Sequence, residues 1–162
     1  MEITAEPVRS FEDFYRAEWA SVRRAVGFAL GDADLARECV DEAMTRAYER
    51  WDQVSPMGSP AGWVYRVAVN HGRNRGRRRA LERRKQPPPG PPSTPERDVA
   101  DPAVAIALAG LPLDMRSVVV LRFYLDWSVE QIAVGLGVAP GTVKSRLHRA
   151  LRRLEKTLGE PR

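Results

Sequence analysis

The sequence predicts an all-α protein in which two small helical domains are joined by a Pro-rich flexible linker. Apolar residues recur at helical spacing along most of the chain, and only the run Val118–Leu121 resembles a strand. Residues that typically start and stop helices separate these periodic segments. The stretch from Gln86 to Pro102 is too rich in proline for a helix and too polar for a core. We therefore predict one domain at residues 1–85, a linker at 86–101 and a second domain at 102–162.

Basic residues are concentrated in particular parts of the chain. The net charge is +5 over 162 residues, yet residues 71–85 alone carry 8 basic and 1 acidic side chain, a net of +7. Residues 1–70 have a net charge of −4. A second group of basic residues lies in the last predicted helix. Two such segments favour two contacts with a polyanion such as DNA.

The composition excludes several other classes of protein. The single cysteine, Cys39, cannot form an intramolecular disulfide, and one Cys with two His cannot make a common structural zinc site. We expect no cofactor. The N-terminus lacks a signal-peptide core, and no apolar run approaches the roughly 20 residues of a membrane span. We therefore expect a cytoplasmic protein without membrane insertion.

The first two helices have different faces. Ser10 begins the first helix and Gly31 ends it. Its aromatic stripe favours a core face, with a docking surface as the alternative: Phe11, Phe14, Tyr15, Trp19, Val22 and Val26. The second helix runs from about Asp34 to Trp51 and buries Cys39, which we interpret as a small apolar residue because no basic neighbour would lower its pKa. Its polar face is either solvated or a docking surface for a protein partner.

The third long predicted helix is partly apolar at its start and basic towards its end. After a loop at Gln53–Ser59, Ser59 and Pro60 begin a helix whose first part is apolar on one side. From Asn70 to Lys85 it is almost wholly polar and basic. Gly72 and Gly76 weaken the helix but let another backbone approach closely. The basic run is either a solvated surface or, as we favour, a phosphate-binding segment.

The second domain is predicted to contain four helices. Asp101 and Pro102 begin the first, which directs Val104, Ala107 and Leu108 inward and ends at Leu111-Pro112. The next spans about Asp114 to Leu125.

The last two helices form a predicted helix-turn-helix at residues 129–154. Ser128 and Gln131 make a capping-box pattern, Gly137 marks the turn, and Pro140 starts the second helix. Residues at helical spacing form the buried face of that helix: Val143, Leu147, Ala150, Leu151, Leu154 and Leu158. Its other faces are basic, which suits insertion into a DNA major groove. An ordinary αα-hairpin with a basic exterior is the alternative.

Taken in order, these segments resemble bacterial RNA polymerase sigma factors of the sigma-70 family, in particular the extracytoplasmic-function (ECF) group, which keeps regions 2 and 4. Region 4 is carried by LPLDMRSVVVLRFYLDWSVEQIAVGLGVAPGTVKSRLHRALRRL, region 2.2 by DADLARECVDEAMTRAYERW, and regions 2.3 and 2.4 by SPAGWVYRVAVNHGRNRGRRR. Region 4 alone is shared with response-regulator-type activators, whereas both halves in this order are specific. Asp41 departs from the family, which commonly has Gln there, and the 2.4 helix is unusually rich in Arg.

The resemblance implies a factor that binds RNA polymerase core and promoter DNA and performs no bond chemistry itself. Docking on the clamp helices of the β′ subunit would involve Asp34, Glu38, Asp41, Glu42 and Arg46, with further contacts to the β subunit. The −10 element would be held by the Gln53–Ser59 loop, with a flipped base, and by Asn70, Arg73, Asn74, Arg77 and Arg78. The −35 element would be bound by Thr142, Lys144, Ser145, Arg146, His148, Arg149 and Arg152. An anti-sigma factor is an expected partner.

Two other functions compete with this interpretation. A stand-alone helix-turn-helix regulator would bind duplex DNA without polymerase, usually as a dimer, but the sequence has no dimerisation helix or heptad seam. A nucleic-acid enzyme would need clustered carboxylates, an activated nucleophile or a metal site. The acidic residues here lie mainly on one helix face, which disfavours that class.

Overall fold

The computed structural model describes residues 9–85 and 101–159, and all regular structure within these two ranges is helical. We call the ranges the N-terminal unit and the C-terminal unit. The predicted linker lies outside the described residues, apart from Asp101. The helices are α1 Phe11–Leu30, α2 Ala33–Glu49, α3 Trp51–Val54, α4 Pro60–Arg83, α5 Pro102–Ala109, α6 Leu113–Val119, α7 Val129–Leu136 and α8 Pro140–Leu158. The predicted all-α fold is confirmed.

Local signals in the sequence set most helix ends. The Ser10 side chain accepts a hydrogen bond from the Asp13 N–H at 3.2 Å and starts α1. Gly31 ends that helix with a φ of 69°, a left-handed conformation that glycine adopts at little cost. Asp101 caps α5, with Pro102 in its first turn. These ends agree with the sequence prediction.

Three helix boundaries differ from the prediction. Helix α2 ends at Glu49, and Trp51 belongs to the separate short helix α3. Because α3 runs to Val54, the first two residues of the predicted Gln53–Ser59 loop are helical. Helix α5 ends at Ala109, before the predicted Leu111-Pro112 stop. The predicted helix at 114–125 begins as α6 and widens into a π-helical turn at Val120–Tyr124.

In the N-terminal unit, α1, α2 and α4 pack against one another. Side chains on the inner faces of these helices are fully or almost fully buried: Phe14, Val22, Val26, Cys39, Val40, Met44, Val64 and Tyr65. Cys39 is thus a buried apolar residue, as predicted. At Gly72 a Cβ atom would overlap the Leu30 side chain and lie 3.3 Å from Cys39 Sγ, so this glycine permits α4 to pack closely.

Several predicted core residues are exposed. Tyr15 on α1 and Val104 on α5 are each 38% exposed, and Leu151 and Leu158 on α8 are each 44% exposed. The periodicity on α8 extends beyond the helices that cover it. The exposed leucines and Val104 line a shallow apolar groove together with Phe28 and Phe123. Helical spacing therefore identified the apolar side of α8 correctly, but it did not show how much of that side other helices bury.

The two units share one continuous core. Val118, Leu121 and Ile132 of the C-terminal unit are fully buried in the same cluster as the inner residues of α1, α2 and α4. Helix α7 packs across α4, and α1 lies against α5, α6 and the π-helical turn. The structure therefore places the helix-turn-helix directly against the N-terminal unit.

Candidate nucleic-acid interface

The α7–turn–α8 segment has the predicted helix-turn-helix geometry. Ser128 Oγ accepts a hydrogen bond from the Gln131 N–H at 3.1 Å, and Gln131 Oε1 accepts one from the Ser128 N–H at 2.8 Å, which completes the capping box. Gly137 has a φ of 68°, and its N–H bonds to the carbonyl of Ala133. Pro140 begins α8 as predicted. The turn therefore fixes α8 relative to α7.

Buried side chains lock the two helices together. Ile132 and Val143 have no exposed surface, and Ala133 is 4% exposed. Because these residues belong to one buried cluster, the opposite side of α8 is left for solvent or a ligand. This arrangement presents the first turns of α8, as a DNA-reading helix requires.

The side chains predicted to bind the −35 element fall into two groups. Five are exposed on the outer face of α8: Lys144, Ser145, His148, Arg149 and Arg152. Thr142 and Arg146 are half-buried. Arg146 lies 3.7 Å from Asp114 in an ion pair, and its side chain is only 25% exposed. The structure thus separates Arg146 from the freely accessible set.

Two of the exposed residues predicted to bind the −35 element also contact their own helix backbone. Ser145 Oγ donates a hydrogen bond to the Thr142 carbonyl at 3.1 Å, and Arg149 Nε donates to the Ser145 carbonyl at 3.4 Å. Such surface bonds exchange readily with water or a ligand because their net contribution is small. They leave both side chains available for base edges.

The basic segment predicted to bind the −10 element continues α4 without a break. Helix α4 passes through Gly72 and Gly76 and reaches Arg83. The predicted contact residues are all exposed: Asn70, Arg73, Asn74, Arg77 and Arg78. Arg75 differs from them, because its guanidinium is 2.6 Å from Glu38 on α2 in an ion pair. One charge of the run is thus neutralised within the N-terminal unit.

The loop before α4 forms one wall of a large cavity. Residues of the loop, including Ser55 and Ser59, line a space of about 660 Å³ together with Trp51 of α3. The opposite wall is α7, with Gln131 and Val134. The loop predicted to hold a flipped base therefore faces the helix-turn-helix in this structure.

The predicted polymerase-docking residues lie together on the exposed face of α2. They are Asp34, Glu38, Asp41, Glu42 and Arg46. Asp41 accepts a hydrogen bond from Trp19 Nε1–H at 3.1 Å, and Arg46 lies 3.1 Å from Glu42. Exposed pairs of this kind contribute little stability. A protein partner can therefore replace them at low cost.

Sequence reasoning missed a set of polar residues that join the two units. Tyr65 on α4 and Ser117 on α6 are both buried, and Tyr65 Oη lies 2.8 Å from Ser117 Oγ in a hydrogen bond. Burial raises the pKa of Tyr65 well above its ordinary value, and the bond to Ser117 only partly opposes this. The feature of the sequence that could have indicated this bond is a tyrosine on the apolar face of α4.

Arg116 makes a second polar link between the units. Its guanidinium donates to the carbonyls of Leu108 at 2.9 Å and Leu111 at 2.8 Å, and also to the carbonyl of Ala29 near the end of α1. Burial lowers the pKa of Arg116. The feature of the sequence that could have indicated this link is an arginine two residues before the apolar run Val118–Leu121.

The described parts of the chain hold neither a cluster of metal ligands nor a membrane-spanning helix. Across residues 9–85 and 101–159, no three His, Cys, Asp or Glu side chains come together as a metal site would require. Within the same ranges, no helix has the length and apolarity needed to cross a bilayer.

The comparisons with known proteins agree with this geometry. The family described as "Sigma-70, region 4" matches residues 104–154, which cover the C-terminal unit. The chain is 37% identical over 139 residues to the ECF RNA polymerase sigma factor SigL of Mycobacterium tuberculosis, covering 80% of this chain and 78% of that protein. It is 34% identical over 154 residues to the RNA polymerase sigma-E factor of Streptomyces coelicolor, covering 93% and 87%.

A solved structure shares the fold over nearly the whole chain. The sigma factor RpoE from Bartonella quintana, in complex with the anti-sigma factor NepR, superimposes with a TM-score of 0.69 at 24% identity. The match covers 93% of this chain and 99% of that one. At this identity the likeness concerns the fold, whereas the sequence relatives cover both units. By these matches the chain belongs to the ECF group of RNA polymerase sigma factors.

Proposed function

We propose that this protein binds RNA polymerase core and directs it to promoters by recognising −35 and −10 elements. One observation carries the proposal: the helix-turn-helix with its exposed basic face lies in the same chain as a basic helix preceded by a polar loop. A stand-alone regulator needs only the first of these. Membership of the ECF sigma group supports the same role. The protein itself would perform no bond chemistry, because the polymerase does so, and it would act in the cytoplasm with that enzyme.

The first turns of α8 would read the −35 element. Lys144, Ser145, His148 and Arg149 share the outer face, so we assign them to base edges. An arginine held against guanine discriminates against other bases by about 1–3 kcal/mol. Thr142, Arg146 and Arg152 would position the phosphate backbone. Arg146 has to exchange Asp114 for a phosphate, which costs little because the pair is partly solvated.

The loop before α4 and the basic part of α4 would hold the −10 element. Asn70 and the loop at 53–59 would receive a flipped base, whose extrusion costs a few kcal/mol that pocket contacts and stacking recover. Arg73, Asn74, Arg77 and Arg78 would contact the backbone beside it. Their exposure supports this role.

The acidic face of α2 would dock on the polymerase β′ clamp helices, and the C-terminal unit would contact the β subunit. Domain boundaries at 85 and 102 suit this division, with the linker at 86–101 threading through the polymerase. An anti-sigma factor is a further expected partner. Two solved structures of the same fold are complexes: RpoE with the anti-sigma factor NepR, and CnrH with the cytosolic domain of CnrY.

Run-off transcription tests the proposal directly. Purified core polymerase is supplied with a pool of genomic fragments, with and without this protein. We expect new start sites that share two spaced sequence elements. Absence of start sites, together with tight binding to duplex fragments without polymerase, would instead identify a stand-alone regulator.

A further inference from the structure

We propose that a cavity between the two units binds a small phosphate anion, which is either inorganic phosphate or the terminal phosphate of a nucleotide. The cavity has a volume of about 190 Å³. Helix α4 forms one wall, and α6, the end of α7 and α8 form the other. We call this space the inter-unit cavity. The site depends on the packing of these helices and does not rest on the proposed function.

The charged side chains around the inter-unit cavity are mainly cationic. Arg66 and Arg73 reach it from α4, and Arg146 reaches it from α8. Asp114 on α6 contributes a carboxylate. Three positive charges and one negative charge give the described lining a net charge of +2. An anion among the guanidiniums offsets their mutual repulsion, and phosphate matches the planar fork of an arginine with two parallel hydrogen bonds.

The present contacts leave two of the guanidiniums with hydrogen-bonding capacity. Arg146 Nε is 3.7 Å from the carboxylate of Asp114. Arg66 donates to the neutral carbonyl of Leu136 at 3.4 Å. Both distances exceed the roughly 2.7–2.9 Å of a bond from a cationic nitrogen to an oxyanion, so a phosphate oxygen is a better acceptor. The Asp114 side chain is 55% exposed and can therefore turn towards water when an anion enters.

The size of the inter-unit cavity selects a phosphate group rather than a larger ligand. Its 190 Å³ correspond to about six water molecules at roughly 30 Å³ each. Pockets that enclose a drug-sized ligand have about 300–1,000 Å³, so a nucleoside has to stay outside. Asn70 and Arg73 line the cavity and are exposed, which leaves an opening beside them. The Asn70 amide adds a neutral donor there.

A phosphate in this site would join the two units and compete with DNA. Arg66 and Arg73 belong to the N-terminal unit, whereas Arg146 belongs to the C-terminal unit. Arg73 and Arg146 are also the residues assigned above to phosphates of the −10 and −35 elements. A guanidinium that holds free phosphate is not available to the DNA backbone. This competition, unlike the site itself, rests on the proposed function.

Isothermal titration calorimetry of the full chain with inorganic phosphate tests the site. Chloride keeps the ionic strength constant, because charge attraction is screened by salt. We expect one phosphate to bind per chain with a Kd of about 1 mM or lower. A titration without saturable binding at roughly tenfold higher phosphate would overturn the proposal.

Two pairs of variants separate a specific site from general attraction by a basic surface. Arg73→Gln is compared with Arg77→Gln on α4, and each change removes one positive charge. On α8, Arg146→Gln is compared with Arg149→Gln in the same way. Arg73 and Arg146 line the cavity, whereas the two control positions are exposed elsewhere on the same helices.

The cavity variants should bind phosphate about tenfold more weakly than wild type, because each loses a charge-assisted hydrogen bond. The controls should change the affinity by less than about twofold. Circular dichroism checks that all four proteins are folded. The α4 pair keeps the test valid if Arg146→Gln disturbs packing, since Arg73 and Arg77 are both exposed. Equal losses within each pair would overturn the site.

Further titrations identify the source of the phosphate. Metal-free adenosine triphosphate that binds more tightly than inorganic phosphate would identify the nucleotide as the ligand, and the reverse order would identify inorganic phosphate. Dimethyl phosphate carries the single charge of a DNA backbone phosphate and should bind about tenfold more weakly than the tighter of these two ligands. If dimethyl phosphate or adenosine binds equally well, the proposal is wrong.

Competition is measured with a fluorescent duplex that carries the −35 sequence found by run-off transcription. Phosphate at about twice its Kd should weaken duplex binding roughly threefold in wild type. Arg66→Gln removes a cavity guanidinium that is not assigned to DNA, so phosphate should have little effect on this variant. An equal effect on both proteins would refute competition at the cavity. If phosphate binds but polymerase uses no promoter, the proposed function fails while the site stands.

Discussion

Arg146 and Arg149 lie within one turn of α8 but have different surroundings. Arg149 is exposed and bonds only to the Ser145 carbonyl of its own helix. Arg146 is turned towards α6, where Asp114 pairs with it. Arg149 can therefore contact a base without giving up an ion pair, whereas Arg146 would first have to give up its ion pair with Asp114. At the scale of single residues, this difference supports the proposed division between base reading by Arg149 and phosphate positioning by Arg146.

Replacement of Arg149 by Ala should lower transcription from the cognate promoter by roughly 5- to 150-fold, equivalent to about 1–3 kcal/mol. Lys156→Ala is a charge-matched control on the same face, about 10 Å further along the helix at 1.5 Å per residue. We expect the control to weaken DNA binding slightly without altering base preference. Polymerase affinity, measured by co-sedimentation, should stay constant for both. If Arg149→Ala leaves transcription unaltered, Arg149 does not contribute to base recognition.

The buried Tyr65 hydroxyl should make stability depend on alkaline pH. Its pKa in the folded protein is raised above the ordinary value of 10.0, so the folded state keeps its proton while the unfolded chain releases it. Unfolding is therefore favoured as pH rises above about 10, by up to about 1.4 kcal/mol per pH unit from this group. Urea unfolding between pH 9 and 11 should show a steeper loss for wild type than for Tyr65→Phe. If the stabilities of the two proteins fall equally with pH, Tyr65 does not have this effect.

Single elements of the fold depend on a few residues with special backbone conformations. The turn between α7 and α8 is the clearest case, because Gly137 is left-handed and lies beside Arg66 of α4. Helix α4 shows the opposite behaviour, since it continues through Gly72 and Gly76 despite their low helix propensity. Packing against Leu30 and Cys39 supports the first of these glycines. The second has open space around it.

Gly137→Ala should destabilise the protein by about 1–2 kcal/mol, because a side chain strains the left-handed conformation. The added methyl group would also overlap the Arg66 guanidinium. Gly141→Ala is the control, since it lies in the first turn of α8 with no atom near the new methyl group. Chemical denaturation measures both changes. Equal stabilities for the two variants would show that the turn tolerates a side chain.

The whole molecule is organised by a core that crosses from one unit to the other. Val118, Leu121 and Ile132 have no exposed surface and belong to the cluster that α1, α2 and α4 build. Separation of the units exposes these residues, at about 25 cal/mol for each Å² of apolar surface. The units are therefore expected to support each other's stability in the free protein.

Thermal unfolding of the free chain should consequently give one cooperative transition. The calorimetric enthalpy should equal the van't Hoff enthalpy, as for a single domain. In differential scanning calorimetry, Ser117→Ala should lower the transition temperature, whereas Gly76→Ala, which has open space around it, should not. Two resolved transitions in wild type would mean that the units unfold independently.

Local signals in the sequence determined most of the elements and the orientation of α8. Ser10, Ser128, Gly137 and Pro140 act on residues three or four positions away, so their effect is visible without the fold. The helix-turn-helix and the basic continuation of α4 were predictable for this reason. The exposed reader residues on α8 followed from the same periodicity. The assigned contacts with DNA and polymerase remain predictions.

Tertiary structure alone decided how the two units meet. The Tyr65–Ser117 and Arg116–Ala29 bonds join residues separated by 52 and 87 positions, and no periodic pattern encodes such pairs. The exposure of Leu151 and the pairing of Arg75 with Glu38 were likewise unpredictable, because each depends on which neighbouring helix lies alongside. Helix formation is governed by nearby residues, whereas burial and pairing are set by surfaces brought together from distant parts of the chain.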